Sequence, residues 1–502
     1  MSLARCIGIG QNCRMMKFRR VWVLGLAVHG LAIFGSAQAD VKERLARSYW
    51  QKRLEHRQGK QVLELERGGG ASESSVRIAT LEQPIDHFAR PDSASAGYTF
   101  KQRYFIDSTY ADGENSPVLF YICGESTCEG PSSVPLLNRM ARKLRAHRVA
   151  LEHRYYGESH PFPTLTADHL RFLSMDQAIE DLAFFQRFAT AVLKLNGRWI
   201  SVGGSYPGEL SAFYRMKHPE LVVGALASSA PVYAKSDFFE YDRHVARIAD
   251  PACLRVIQKV VAEVESRLIQ EPSRAEVKRL FQSESVPHDV DFLYVLADMA
   301  AIAIQYGFEK PFCSALIDGD QKGDPVAAYA KTGLSMMATL GTSPFQDSFG
   351  GAMSENPADY QSFAGRQWMY QSCTEFGFYQ IANPGGVETS RSSRIDLAYH
   401  HEACARLFGL KKPVNTDQTN RRYYAKLLEK NTDRIYFTNG SNDPWSNLSF
   451  TDESWLKEKN PGLDLFLIPG ASHCDDLGSR MFSALNEART RFESLVSGWL
   501  SE

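Results

Sequence analysis

The 502-residue sequence has no excess of charge of either sign. It contains 57 Lys and Arg residues against 58 Asp and Glu residues, a formal net charge of −1. Domains that bind nucleic acid usually carry a basic face or stripe, so this balance argues against a nucleic-acid partner. The 22 prolines and 36 glycines are spread along the chain, which excludes a collagen-like or low-complexity protein.

Motifs for metals and nucleotide cofactors are also missing. His400-His401 is not part of an H-E-x-x-H zinc motif, and Cys123 and Cys128 have no matching second cysteine pair. The sequence contains neither a Walker loop nor the G-x-G-x-x-G motif of dinucleotide-binding proteins. We therefore expect no metal and no cofactor.

Long apolar runs are absent after the first forty residues. A basic stretch at 15–20, an apolar run at 21–37 and the small-x-small site Ala37-Gln38-Ala39 predict a secretory signal peptide over 1–39, with Met15 or Met16 as the true start. An uncleaved anchor and a twin-arginine signal at Arg19-Arg20 are the alternatives. Signal removal would leave 52 basic and 58 acidic residues, a net charge of −6, and no membrane contact. We expect a secreted or periplasmic protein.

The rest of the chain alternates apolar strand patterns with helical patterns, which predicts an α/β fold with a mostly parallel sheet covered on both faces. Ser174 to Gln177 has the spacing of a capping box and opens a helix to about Leu193. A closing helix is predicted over about 476–500. The predicted strands are 99–105, 117–123, 148–152, 199–202, 221–227, 434–438 and 463–468.

Strand patterns become rare between 234 and 422, where helical periodicity dominates, as in 254–268 and 290–306. We predict that this stretch is a mainly helical insertion, or cap, in one core made of 40–233 and 423–502. The length of the chain suits one large domain with an insertion, or two domains.

The segment Gly203-Gly204-Ser205-Tyr206-Pro207-Gly208 joins a predicted strand to a helix. Such a nucleophile elbow lifts a serine hydroxyl above the sheet edge, and the N–H of the next residue faces the developing oxyanion. Pro207 stands where the G-x-S-x-G pattern has glycine, but proline is tolerated in a first helical turn. The sequence predicts Ser205 as nucleophile and Tyr206 as an oxyanion donor.

A serine nucleophile needs a base, and the base needs an orienting acid. Asp443 and His473 each follow a predicted strand, in the chain order Ser, Asp, His that accompanies this elbow. A second oxyanion donor is expected from the N–H of Gly124 or Glu125, directly after the strand 117–123. The sequence therefore predicts a catalytic triad at one sheet edge.

Segments spread over nearly the whole mature chain resemble the S28 family of serine peptidases, which includes prolyl carboxypeptidase, lysosomal-type dipeptidyl peptidase and thymus-specific serine protease. The segments are Gln83–Phe88, Phe100–Phe105, Glu152–Ser159, Gly203–Tyr206, Ala225–Pro231, Gln371–Gly377, Asn442–Trp445 and Gly470–His473.

The resemblance implies an α/β-hydrolase core, a helical cap and exopeptidase activity that is often directed at proline. Ser205, Asp443 and His473 match the family's nucleophile, acid and base. Trp445 resembles part of the family's pocket wall for proline, since an aromatic face suits a pyrrolidine ring. Phe378, Glu209 and Glu375 are also predicted to bind substrate. Glu209 departs from the apolar residue of proline-directed members, which puts proline preference in doubt.

Seven cysteines remain after signal removal, so at least one is unpaired. The resemblance implies the disulfides Cys253–Cys313 and Cys373–Cys404, which export permits. A third bridge, Cys128–Cys474, would tie two catalytic loops together and leave Cys123 free; a Cys123–Cys128 pair is the alternative.

An exopeptidase must bind a charged chain terminus near its nucleophile. A free α-amine needs a carboxylate nearby, and a free α-carboxylate needs an arginine or lysine. The candidate acids are Glu125, Glu209 and Glu375. The candidate bases are Arg154 and Arg366, and Arg154 is assigned to a structural ion-pair network. This balance favours an enzyme that releases short N-terminal pieces of peptide substrates. The alternatives are a Pro-Xaa carboxypeptidase, a carboxylesterase or lipase, and a non-catalytic binding protein with this fold. The sequence leaves the oligomeric state open, a homodimer included.

Overall fold

The computed structural model describes residues 76–502 except 91, 94, 96, 341–352 and 361–362. The predicted signal peptide over 1–39 lies outside the described residues. In the described part of the chain, no helix is both long and apolar enough to span a membrane.

Ten strands are present in the described residues, and eight of them form one sheet in the order β1-β2-β4-β3-β5-β6-β9-β10. β1 and β4 each pair antiparallel with β2, and the remaining neighbours are parallel. The strands are β1 (Val76–Pro84), β2 (Thr99–Asp107), β3 (Val118–Ile122), β4 (His147–Leu151), β5 (Trp199–Gly204), β6 (Val222–Ser228), β7 (Lys235–Asp237), β8 (Gly377–Tyr379), β9 (Ile435–Gly440) and β10 (Leu463–Ile468).

The helices lie between the strands and in the predicted insertion. They are α1 (Pro135–Leu144), α2 (Ala167–Leu170), α3 (Met175–Ala191), α4 (Tyr206–Lys217), α5 (Phe239–Ile248), α6 (Pro251–Arg267), α7 (Ser273–Leu280), α8 (Asp289–Gln305), α9 (Glu309–Gln321), α10 (Pro325–Thr339), α11 (Gly365–Gln371), α12 (Leu397–Phe408), α13 (Thr416–Arg422), α14 (Tyr424–Leu427), α15 (Glu453–Lys459) and α16 (Ser483–Ser501). Short 3₁₀ turns and a π-turn, Ser372–Phe376, complete the described elements.

Both faces of the sheet are covered, which is why β3 and β5 read as continuous apolar runs. Phe120 and Trp199 pack on one face with Phe185 of α3. Ile200 belongs to the apolar cluster of the other face, together with Trp499 of α16. The sheet is mostly parallel and covered on both faces, as the sequence pattern predicted, and the protein has the α/β-hydrolase fold that the family resemblance implied.

A separate apolar cluster is built largely from α6, α8, α9 and α10. The sequence analysis did not predict the small parallel sheet of β7 and β8. Both strands fall within the predicted insertion, one before and one after these helices in the chain. The division of the chain at 233/234 and 422/423 stays a prediction.

Candidate active site

Ser205 occupies the sharp turn between β5 and α4. Its backbone has φ 64° and ψ −135°, in the positive-φ region that side-chain-bearing residues rarely adopt. A Cβ on Gly203 would lie 2.0 Å from the carbonyl oxygen of Pro207, so glycine is required where strand and helix backbones touch. Pro207 lies in the first turn of α4, as expected. The segment has the geometry of a nucleophile elbow.

Asp443 and His473 meet after the ends of β9 and β10. Nδ1 of His473 lies 2.8 Å from Oδ2 of Asp443, and both side chains are buried. The other oxygen of Asp443 accepts the Trp445 backbone N–H at 3.0 Å. Burial lowers the pKa of His473, but the neighbouring Asp443 carboxylate outweighs it and leaves that pKa well above its usual value. Asp443 thus fixes the imidazole orientation and favours its charged form.

Hydrogen bonds between loops bring Ser205 and His473 to the same sheet edge. The Ser205 N–H donates to Ser228 O at the end of β6 (2.8 Å), and the Cys474 N–H donates to Ser229 Oγ (2.9 Å). A Cβ on Gly204 would lie 2.9 Å from Cys474 Sγ. The residue after His473 therefore packs against the residue before Ser205.

The loop after β3 lies against the elbow. A Cβ on Gly124 would lie 2.4 Å from Pro207 Cγ, so this glycine permits the close approach. Glu125 O accepts the Ala364 N–H at 2.9 Å, which joins the loop to the segment before α11. The first-turn N–H groups of α4, including that of Tyr206, point out of the helix end. Gly124, Glu125 and Tyr206 thus belong to adjoining backbone segments.

The predicted Cys128–Cys474 bridge is wrong in this structure. Cys128 pairs with Cys123, whose Cα lies 5.7 Å away, and Cys474 is a half-buried free thiol. Cys128 packs with Phe105, whereas Cys474 packs against a different apolar cluster that includes Leu477. The two other bridges, Cys253–Cys313 and Cys373–Cys404, are present as the resemblance implied.

Aromatic rings form a continuous wall beside the elbow. Trp445 and Phe378, both assigned to substrate binding from the sequence, lie 5.5 Å apart between ring centroids. The sequence analysis did not single out Trp368. Its ring centroid lies 6.3 Å from that of Phe378 and 5.9 Å from that of Tyr206. Trp368 is only half-buried, so part of this wall is accessible.

The three acids predicted near the nucleophile are buried to different degrees. Burial raises the pKa of Glu125 to about 7 and that of Glu375 to about 8. Glu209 is 2% exposed, and its Oε2 has no hydrogen-bond partner among the described residues. Burial, followed by repulsion from Glu375 and Glu125, raises the pKa of Glu209 well above its usual value. The Glu375 carboxylate also accepts the Met175 N–H at the start of α3 (3.0 Å).

The two basic candidates are held in structural contacts. Arg154 is fully buried and donates to both carboxylate oxygens of Asp181 at 2.6 Å. Arg366 is buried and donates to Leu165 O at 2.8 Å and to Glu355 at 3.2 Å. Arg154 thus has the structural role predicted for it.

Two glutamines of the helical region contact the site, and sequence reasoning missed both. Gln371 Nε2 donates to the Tyr206 hydroxyl at 2.9 Å, and His153 Nε2 lies 3.0 Å from the same hydroxyl. Gln305 accepts from Trp445 Nε1 at 3.0 Å. A signal was available for Gln305, because it is a polar residue that ends the apolar helix α8. The described residues hold no group of three or more His, Cys, Asp or Glu side chains placed to bind a metal.

This fold, with a serine elbow and a buried Asp–His pair at one edge, defines a serine-type hydrolase of the α/β class. The model of the family described as serine carboxypeptidase S28 matches residues 83–487. The chain therefore belongs to the S28 family of serine peptidases and is a serine-type peptidase.

Curated relatives cover most of the chain. It is 34% identical to a probable serine protease of Arabidopsis thaliana, EDA2, over 74% of this chain and 75% of the relative. Identity to the thymus-specific serine protease of Mus musculus is 30%, over 84% and 87% of the two chains. Identity to the lysosomal Pro-X carboxypeptidase of Bos taurus is 28%, over 85% and 88%.

Proposed function

We propose that Ser205, His473 and Asp443 form the catalytic triad of this peptidase. Ser205 Oγ attacks the substrate carbonyl, and His473 takes its proton and returns it to the leaving amine. Asp443 holds the imidazole through the 2.8 Å bond to Nδ1 and stabilises the imidazolium. The observation that carries the proposal is this buried bond at the same edge as the positive-φ Ser205.

The oxyanion is stabilised in this proposal by backbone N–H groups of two segments. Tyr206 donates from the N-terminus of α4, whose partial positive charge adds to the effect. Gly124 or Glu125 donates from the loop after β3. The contact of Gly124 with Pro207 supports this, because it brings the loop next to the elbow.

The enzyme is proposed to act from the amino end and to release short N-terminal pieces. A protonated α-amine would pair with Glu125 or Glu209 and favour their ionised form despite burial, with Glu375, which also accepts the Met175 N–H, as the third acid. Arg154 and Arg366 are held in structural contacts. The unpartnered, buried oxygen of Glu209, one helical turn after Ser205, supports a cationic ligand group at this site. The aromatic wall of Trp445 and Phe378 suits a proline ring near the cleaved bond.

A matched pair of peptides tests the direction of attack. One peptide is N-acetylated and the other is C-amidated, and cleavage is followed by mass spectrometry with Ser205→Ala protein as the blank. We expect acetylation to stop cleavage and amidation to leave it unchanged. The reverse result would establish the second candidate, a carboxypeptidase, which the name of the bovine Pro-X relative favours.

Export is part of the proposal. Three disulfides among the described cysteines support an oxidising compartment. A similar fungal protein of Arthroderma benhamiae, 28% identical, is named a probable extracellular serine carboxypeptidase. N-terminal sequencing of the exported protein should begin at Asp40, and a retained N-terminus would contradict cleavage after residue 39.

A further inference from the structure

Gln305 is the last residue of α8, and its backbone carbonyl contacts the loop that carries His473. The final carbonyls of a helix have no partner within the helix. Gln305 O accepts the His473 backbone N–H at 2.9 Å. A Cβ on Gly307 would lie 2.8 Å from Ser472 Oγ, so the end of α8 packs directly on the His473 loop. The main chain of His473 is therefore held by α8.

The side chain of Gln305 holds the loop that carries Asp443. Its Oε1 accepts from Trp445 Nε1 at 3.0 Å and from the Tyr241 hydroxyl at 2.6 Å. The backbone N–H of Trp445 in turn donates to Asp443 Oδ1. Gln305 is buried, with 8% of its surface exposed, so these bonds are shielded from water. One residue thus connects to both members of the Asp–His pair.

Tyr306, the residue after Gln305, contacts the ring of His473. The ring of Tyr306 lies 5.9 Å from that of His473, nearly perpendicular at 85°. His473 is therefore fixed by Asp443 at Nδ1, by Gln305 at its backbone and by Tyr306 against its ring. An amide at position 305 supplies two acceptor contacts without adding a charge beside a pair whose proton balance matters for catalysis.

We propose that Gln305 is a positioning residue for the acid–base pair, so that the end of α8 takes part in aligning Asp443 and His473. The inference rests on the proposed triad. Removal of the Oε1 acceptor leaves two buried donors, on Trp445 and Tyr241, without a partner. The Trp445 segment then shifts and carries Asp443 away from its alignment with His473.

The test uses a fluorophosphonate, which reports the reactivity of Ser205 and His473 without a known peptide substrate. Gln305→Met keeps the side-chain length and removes the acceptor. We expect its inactivation rate constant to fall roughly ten- to a hundredfold, the scale of a 1 Å misplacement. The pKa on the acid limb of its rate–pH profile should fall, because Asp443 supports the imidazolium less well.

Two further variants separate positioning from stability. Gln305→Glu keeps both acceptor contacts but adds the charge that the amide avoids, so its rate should lie closer to wild type than that of Gln305→Met and its acid-limb pKa should rise instead of falling. Gln367→Met makes the same change at another buried glutamine, whose Nε2 donates to Tyr155 O at 3.0 Å. It should lower the melting temperature and leave the rate and its pH profile unchanged. Gln305→Asn, which withdraws the acceptor by one methylene, replaces Gln305→Met if that protein does not fold.

The outcomes are distinct. Wild-type rates and pH profiles in Gln305→Met or Gln305→Asn, with Ser205→Ala and His473→Ala unreactive, would overturn the role of Gln305 and leave the triad standing. Wild-type protein that the fluorophosphonate does not label would overturn the triad and this inference with it.

Discussion

Ser205 combines a backbone conformation of high energy with a small side chain. A side-chain-bearing residue in such a conformation costs roughly 1–3 kcal/mol, which the surrounding strand and helix must offset. The same backbone is available to alanine. We predict that Ser205→Ala abolishes peptide cleavage and leaves the melting temperature close to that of wild type. Calorimetry beside a turnover assay checks both parts, and residual turnover above that of a mock preparation would contradict the nucleophile assignment.

Asp443 uses one oxygen for His473 and the other for the backbone of Trp445. An asparagine keeps the contact with the Trp445 backbone. Toward His473 it presents either an N–H donor, which favours the imidazole tautomer without a proton on Nδ1, or a neutral oxygen that stabilises the imidazolium less than a carboxylate does. Asp443→Asn should therefore lower kcat by about 10⁴-fold with little change in stability. Steady-state kinetics measure the effect, and a loss of only a few-fold would point to a different acid.

At the scale of elements, the contact between β5 and α4 depends on the absence of a side chain at Gly203. A Cβ there would lie 2.0 Å from the Pro207 carbonyl oxygen, so the strand and helix would have to separate. Gly203→Ala should destabilise the protein by at least about 2 kcal/mol, in the range of overpacked core substitutions.

Gly498 in α16 provides the matched control, because a Cβ there has no atom within 4 Å. Gly498→Ala should stabilise the protein by roughly 0.5–1 kcal/mol through helix propensity. Urea denaturation measures both changes. Equal stability of the two variants would show that the elbow does not need a glycine.

The loop between β3 and α1 is closed by a disulfide, and Cys474 remains a thiol. Non-reducing peptide mapping should recover Cys123–Cys128 together with the two bridges of the helical region. Iodoacetamide applied to the unfolded, unreduced protein should modify Cys474 alone among the cysteines of the described residues. Recovery of a Cys128–Cys474 peptide would contradict this pairing.

At the scale of the whole molecule, buried acids make stability depend on pH. Burial raises the pKa of Glu125 and Asp298 to about 7 and that of Glu375 to about 8, while that of Glu209 lies well above its usual value. An acid with a raised pKa in the folded state contributes stability that is complete below its unfolded pKa, near 4. That stability is lost as the pH rises through the folded value.

The melting temperature should therefore fall as the pH rises from 5 to 8. Glu209→Gln, which cannot ionise, should raise the melting temperature at pH 8 and leave it unchanged at pH 4. The exposed Glu284, for which the same substitution should change neither value, is the control. Parallel pH dependence in the wild type and Glu209→Gln would show that Glu209 carries no ionisation cost.

Local sequence signals determined much of the core. The strand predicted over 463–468 has those bounds in the structure, and Ser174 caps α3 as its spacing indicated. β1 was missed because seven of its nine side chains are exposed or half-buried, so it lacks an apolar run. The closing helix begins at Ser483, later than predicted, because Arg489 donates to carbonyls of the preceding loop, such as those of Asp476 and Gly478.

For the site, the sequence alone determined the elbow, because glycines, serine and a strand–helix junction are adjacent in the chain. It also predicted that Asp443 and His473 lie at one sheet edge, since parallel strands bring their carboxyl ends together there. Tertiary structure alone decided the Cys123–Cys128 pairing and the contacts of Gln305. A disulfide choice depends on where side chains point in the folded core, and Gln305 meets Trp445 across 140 residues of intervening chain. No local pattern records a contact that forms only when separate elements pack together.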